Sequence, residues 1–398
     1  MPDRPNVTVP LEGCWDGVAQ AGSELWLIGV KWCLLSPEFG SKNMGFDLQE
    51  GPLAPLFLSR QEARAGDWGL NGSILGDFLL ERRAPGRDAE VSLMLLLQQA
   101  VNGLMLGSVY VTVALAFTLT IGILNFLNFT IPTLFMFTAM MGWALTKWGV
   151  PGGLTGPLWW PVALLIATAL TVLLSLMIER FTFRYMKTKY GDSTEHAIPL
   201  VSSLGFLLVI ENLVRIGYGT DAQRFPGASM DMTLNVAGVL LRLPQLLSLV
   251  AVCFIVAGLN ALLARSRVGR GLRAIAESPD AANILGVDTN RVVAVVFMLG
   301  GLLCAFAAVL FIINYGEVSP QIGEDIGSKA IAGMVIGGLG SIWGAVVGGI
   351  IIGLAEMMTI HFFGADTVQM VVWGLLILVL VIRPQGLFGH NSIGKGKL

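Results

Sequence analysis

The sequence predicts an all-α polytopic membrane helix bundle with eight hydrophobic segments, two of them broken or re-entrant, and up to ten crossings. Three observations predict it. Of 398 residues, 54% are hydrophobic and only 13% are charged, whereas soluble domains carry about 25% charged residues. From Leu93 onward the chain is a series of apolar runs close to the ~20 residues that a helix needs to cross hydrocarbon. Lysine and arginine collect in a few places between those runs. The low charge argues against intrinsic disorder and nucleic-acid binding, and the net charge of −2 shows no general basic surface.

Residues 1–92 form a polar N-terminal extension that holds Trp15, Trp26, Trp32 and Trp68, with no uninterrupted apolar run long enough to span. Its short apolar run at Leu25 to Val30 is followed by no small-residue cleavage site, so it does not read as a signal peptide. Residues 93–390 form the transmembrane domain and 391–398 a short tail. Clear segments cover 95–119, 158–179, 197–217, 243–264, 291–313 and 367–382. Two more are interrupted: 121–147 by Asn125, Asn128 and Pro132, and 326–358 by Gly337-Gly338-Leu339-Gly340-Ser341.

Cytoplasmic loops are enriched in Lys and Arg. Arg180, Arg184, Lys187 and Lys189, then Arg265 to Arg291, then Arg383, Lys395 and Lys397 therefore mark one face, with a cytoplasmic C-terminus. Acidic loops at Glu317, Glu324, Asp325 and Asp366 mark the other. Counting segments between these places gives odd numbers where even ones are needed. Three segments separate Arg291 from Arg383, and three follow a cytoplasmic start suggested by Arg82, Arg83 and Arg87. A reversal inside each interrupted segment repairs both counts. Broken helices are tolerated in a membrane where they line a cavity or are buried in protein. Asn128, Phe129, Gly337, Gly338, Gly340 and Ser341 are thus the candidates for a translocation path, with tight helix packing as the alternative reading of the glycines.

The longest informative polar loop, 266–288, reads as two short helices: Gly269 to Glu277, then a Ser278-Pro279 turn, then Asp280 to Leu285 stopped by Gly286. This makes a compact knob outside the bilayer that a soluble motor domain could grip. Its candidates are Gly269, Arg270, Arg273, Ala274, Glu277, Ala281, Ala282 and Gly286. The plainer reading, a positive-inside anchor, needs the arginines but not the alanines and glycines. Glu211 and Arg215 lie four apart on one helix face and can pair, with snorkelling a sufficient explanation for them. Glu356 could meet a solute ammonium or reach the interface. The four cysteines and three histidines show no metal spacing, and no catalytic residues are expected. No phosphate-binding loop is present, so any use of ATP must come from another subunit.

The loop and the following Asn290-Arg291-Val292 resemble the ATPase-contacting loop of permease subunits from ABC importers of branched-chain amino acids, a group that includes urea and amide importers. Gly337 to Gly349 is similar to that family's Gly-Gly-x-Gly-Ser-x-x-Gly-Ala-x-x-Gly-Gly stretch. Leu97-Gln98-Gln99-Ala100-Val101-Asn102-Gly103-Leu104-Met105-Leu106-Gly107-Ser108 resembles its opening helix. The resemblance covers about 300 residues in order. Asn128-Phe129-Thr130-Ile131-Pro132 stands where the family has Asn-Phe-Ala-His-Gly, so selectivity here can differ. Residues 1–90 have no counterpart; a start at Met94 and a cytoplasmic extension are the two readings.

The resemblance implies a multi-pass permease subunit of the bacterial cytoplasmic (inner) membrane, within the lipid bilayer. Its partners would be two ABC ATPase subunits carrying ATP and Mg, a second permease subunit, homologous or identical, and an extracytoplasmic solute-binding protein. The chain itself would bind no cofactor. An ion-coupled secondary carrier would explain the broken helices but not the knob. A membrane-embedded enzyme would need an interfacial cluster of His, Asp or Glu that the sequence does not supply.

Overall fold

The computed structural model describes residues 85–124, 126–148, 159–185, 197–225, 233–236 and 239–389. The expectations for residues 1–84 and for the tail 391–398 lie outside these residues. The helices are α1 (Pro85–Leu124), α2 (Thr130–Trp148), α3 (Trp159–Glu179) continued by a π-helical turn (Arg180–Tyr185), α4 (Ala197–Tyr218) and α5 (Leu243–Arg265). Then come the short α6 (Arg267–Glu277) and α7 (Pro279–Ile284), followed by α8 (Thr289–Tyr315), α9 (Ile322–Gly337), α10 (Ile342–Phe363) and α11 (Val368–Ile382). Two small antiparallel pairings decorate them, β1 (Gln223–Arg224) with β4 (Glu317–Val318), and β2 (Thr233–Val236) with β3 (Val239–Arg242). Among the described residues, seven helices are long and apolar enough to cross a membrane. The chain is an all-α, multi-pass membrane bundle.

The apolar runs become helices because hydrocarbon leaves backbone groups no partner except one another. Side chains set where the helices begin. Ser266 accepts from Gly269 N (2.8 Å), Asp288 from Asn290 N (3.1 Å), and Ser341 from Gly344 N (3.1 Å), each satisfying an amide that the first turn leaves free. At the end of α8, Gly316 takes a left-handed conformation, φ 64°, that lets the chain turn sharply.

Helix α1 is the centre of the bundle: 89% of its spanning window is buried, against 11% for α4 and α11. It runs antiparallel to α10, with Gly103 against Leu354, Gly107 against Ile350 and Gly122 against Gly340. Helix α10 in turn runs antiparallel to α9, with Gly333 against Gly348 and Gly349, and Gly337 against Gly344. The interrupted segment 326–358 therefore does reverse at its glycine-rich break, as a tight hairpin.

The other break also turns the chain back, between Leu124 and Thr130, but without a tight glycine hairpin. Residues 121–124 finish α1, level with Gly340, whereas Pro132 lies against Gly323 and Gly327 near the start of α9. The intervening residues lead back into the bundle, and α2 then runs towards the face where α9 begins. There Trp143 Nε1 donates to Arg224 O (3.2 Å), and Arg224 pairs with Glu317. Helix α3 returns beside α2 and α8: Thr138 and Thr171 hydroxyls meet at 2.7 Å, and Ser175 Oγ donates to Phe297 O (2.6 Å).

These contacts sort the loops onto two faces. The knob, the end of α3, the Gly338–Ser341 turn and the end of α11 share one face; β1, β4 and the acidic turns share the other. One expectation is corrected. Arg82, Arg83 and Arg87 pointed to a start on the knob face, but the glycine register with α10 brings α1 into the bundle from the opposite face. Three helices from that face to the end of α3 is then the right parity, with no extra crossing. Counting charge ahead of the first segment missed this because close packing, not the arginines before it, fixes the direction of the central helix.

Single cysteines at Asn283 and Asp366, in a chain with its four natural cysteines replaced, should label with an impermeant thiol reagent from opposite sides of the membrane. A large side chain at a glycine contact should cost about 1–3 kcal/mol. Gly349→Leu, whose Cβ would come within 2.7 Å of Val111 N, should lower the thermal unfolding midpoint in detergent. Gly374→Leu, with open space around it, should leave it unchanged.

Candidate functional site

The knob is built so that one side is fixed and the other is free. Gly269 is buried against the Leu262 and Leu263 carbonyls, where any Cβ would collide, so α6 packs directly on the end of α5. Leu272 and Ile275 face inward, and Ala282 on α7 is buried with them. The Arg273 guanidinium is solvent-exposed yet donates to Leu263 O, tying α6 to a free carbonyl at the α5 terminus. Arg270, Glu277 and Ala281 are exposed, Ala274 is partly buried and its carbonyl accepts from Ser278 N (3.1 Å). Gly286 turns the chain at φ 86°, and Thr289 Oγ1 donates to Asn283 Oδ1 to clamp α7 to α8.

Two residues not singled out in the sequence cap the free side: Ile284 is 86% exposed and Leu285 81%. Adjacent apolar residues at the tip of an extramembrane helix have no packing role within the chain. The sequence signal was available, an adjacent apolar pair placed between Asn283 and Gly286 at the end of the second short helix.

The glycine turn meets the knob. A cavity of about 300 Å³ is lined by Gly122 on α1, Asn260 on α5, Leu272 and Arg273 on α6, and Gly340. Gly338 and Gly340 take φ of 111° and 79°, conformations natural only to glycine. Gly337 is packed against Gly344, and Ser341 caps α10. The structure thus brings Gly340 and Arg273 together but keeps Asn128 and Phe129 apart from them. Asn128 is buried, and its Oδ1 accepts from Thr130 N (3.0 Å) and Thr130 Oγ1 (2.7 Å), which starts α2. Phe129 N donates to Ser203 Oγ on α4 (3.3 Å), and Phe129 lines a second cavity of about 460 Å³ between α2, α4 and α9. Glu211 and Arg215 form the expected ion pair on the wall of that cavity.

Glu356 neither reaches the interface nor stands free. It is buried, accepts from Tyr110 Oη (2.5 Å) and pairs with Lys329 Nζ (2.5 Å), joining α10 to α1 and α9. Sequence reasoning passed over Lys329, although a single cation in the broken segment 326–358, together with Glu356, was a legible signal.

Comparison with known proteins decides what kind of bundle this is. The sequence profile described as "branched-chain amino acid transport system / permease component" matches residues 99–381. The chain belongs to this permease family. The high-affinity branched-chain amino acid transport system permease protein BraD of Pseudomonas aeruginosa is 34% identical over 304 residues, covering 75% of this chain and 97% of that protein. The LivH permease proteins of Salmonella typhimurium and Escherichia coli are 30% identical, with the same coverage of 75% and 97%. The fructose import permease protein FrcC of Rhizobium meliloti is 33% identical over a shorter stretch, 31% of this chain and 36% of that protein. No solved structure matches. As a member of this permease family, the chain is a transmembrane permease subunit of an importer, a pore component and not an enzyme.

In such a permease a buried ion pair is costly to break, because the surviving partner stays charged away from water. Glu356→Gln should destabilise the protein by about 3–5 kcal/mol, seen as a lower unfolding midpoint. The paired change Glu356→Gln with Lys329→Met, which leaves no uncompensated charge, should recover most of it.

Proposed function

We propose that this permease works in an ATP-driven importer of the bacterial cytoplasmic membrane, carrying branched-chain amino acids or related small polar solutes inward. The observation that carries the reading is the knob: a rigid α6–α7 unit with an exposed apolar tip, on the same face as the glycine turn and the C-terminal end of α11. On this reading that face is cytoplasmic, which agrees with its arginines. Two ABC ATPase subunits, holding ATP and Mg, dock on the knobs of two permease subunits. An extracytoplasmic binding protein delivers solute to the acidic face. Ile284 and Leu285 enter a pocket on the ATPase, and Arg273 passes the resulting displacement to α5 through its contact with Leu263 O.

The path reading of the sequence divides accordingly. Phe129 belongs to the receiving side, where its cavity lies, and Gly337, Gly338, Gly340 and Ser341 belong to the cytoplasmic end, where the turn adjoins the knob. Asn128 contributes by holding the start of α2 at the break.

Replacing an anchor side chain at the centre of an interface costs about 2 kcal/mol or more, roughly thirtyfold in affinity. Ile284→Asp and Leu285→Asp should each reduce recovery of the ATPase subunits with the purified permease. Arg273→Glu should leave insertion and ATPase association intact while uncoupling ATP hydrolysis from uptake. Full uptake in Arg273→Glu would remove the coupling role, and purification of a transport-competent chain driven by an ion gradient alone would replace the importer with a carrier.

A further inference from the structure

The cavity between α2, α4 and α9 has a composition that the bundle itself does not require. It lies towards the face opposite the knob, and its volume of about 460 Å³ is in the range of small-molecule sites. One part of its wall is apolar, from Met136, Leu207 and Ile331. Another part carries Glu211, Arg215 and Glu324. Glu211 engages one terminal nitrogen of the Arg215 guanidinium. The Arg215 Nε, shielded from solvent, has no hydrogen-bond partner. A buried charged donor without an acceptor is uncommon enough to need a reason. Glu324 is exposed at the mouth of the cavity and, among the described residues, forms no salt bridge.

From these features we infer that the cavity is a binding station for zwitterionic α-amino acids with small apolar side chains. The solute carboxylate takes the Arg215 guanidinium that lines the cavity, whose fork matches a carboxylate. Its ammonium takes Glu324, and its side chain lies on the Met136, Leu207 and Ile331 wall. The inference rests on the importer reading and sharpens it, because it gives the permease a selectivity of its own. Urea, short amides and sugars have no full charges to offer Arg215 and Glu324, so they would gain neither charge-assisted contact there. An amine or a carboxylate alone would answer only one of the two.

The test uses the complete permease–ATPase assembly in lipid nanodiscs without its binding protein, with radiolabelled L-leucine as the probe. Saturable binding is expected, displaced by L-valine but not by urea, isoamylamine or isocaproate. Arg215→Gln and Glu324→Gln should each weaken it about tenfold or more, the usual effect of losing a charge-assisted hydrogen bond. Arg215→Lys should retain more binding than Arg215→Gln. The pair Glu211→Gln with Arg215→Gln restores charge balance but should not restore binding, whereas a merely structural ion pair would tolerate it. ATPase co-purification confirms that each variant is folded. Displacement by isoamylamine as effective as by L-valine, or undiminished binding in both single variants, overturns the station. So does the absence of saturable binding in an assembly that still imports leucine with its binding protein, and that result leaves the importer reading intact. Failure of that assembly to import leucine at all removes the amino-acid reading and the station with it.

Discussion

The rest of the bundle depends on the direct backbone contact that α10 makes with α1 on one side and α9 on the other. Apolar side chains gain little by leaving lipid for protein, so helices in a membrane hold together through close van der Waals approach and the polar groups they can share. Gly103, Gly107 and Gly122 on α1, Gly333 and Gly337 on α9, and Gly344, Gly348, Gly349 and Gly353 on α10 bring three backbones so close that an added Cβ would collide with or press on the neighbouring helix. The geometry leaves no choice of direction for α1. It also shortens the α9–α10 connection to Gly338–Ser341 and exposes carbonyls at the end of α9. Leu387 N donates to Ile336 O (2.9 Å) and Phe388 N to Gly337 O (2.8 Å), so the segment after α11 satisfies what the break leaves open.

Polar side chains inside the bundle divide by whether they answer their own helix or another. Thr112, Thr118 and Thr120 on α1 each donate to a carbonyl one turn back, which removes their cost without joining anything. Ser175 with the Phe297 carbonyl and Glu356 with Lys329 and Tyr110 cross between helices. Those crossings lie where glycines already bring helices close, at Gly301 beside Ser175 and along the α1–α10 seam. Short contact sets the distance and the polar bond then fixes the register.

What could be read in the sequence followed from this division. Apolar length found the helices, and the glycine-rich break predicted the α9–α10 hairpin because loop charge demanded a reversal there. The helical knob was legible from Ser278, Pro279 and Gly286, whose turning and breaking roles are local. Contacts between distant segments were not. The sequence shows Glu356 as an acid near a helix end, and only the approach of α9 and α1 makes it the partner of Lys329 and Tyr110. Asn128 reads as a polar residue in an apolar run. Its job of starting α2 through Thr130 depends on where the chain turns back into the bundle. The entry face of α1 was misread because arginine counting is statistical, while a glycine register is steric.

On the proposed importer reading, packed helices connect the knob to the cavity on the far face. Helix α8 leaves the knob through the Asn283–Thr289 clamp and packs along α3, where Ser175 holds it. Helix α3 continues into its π-helical turn, and that turn packs on α4. By contrast, α2 and α9 are locked to each other through Pro132 on Gly323 and Gly327. The cavity therefore has two walls fixed to the glycine core and a third, α4, whose spanning window is only 11% buried. Helix α4 is thus the wall held least by the bundle, and it carries Glu211 and Arg215 on the cavity.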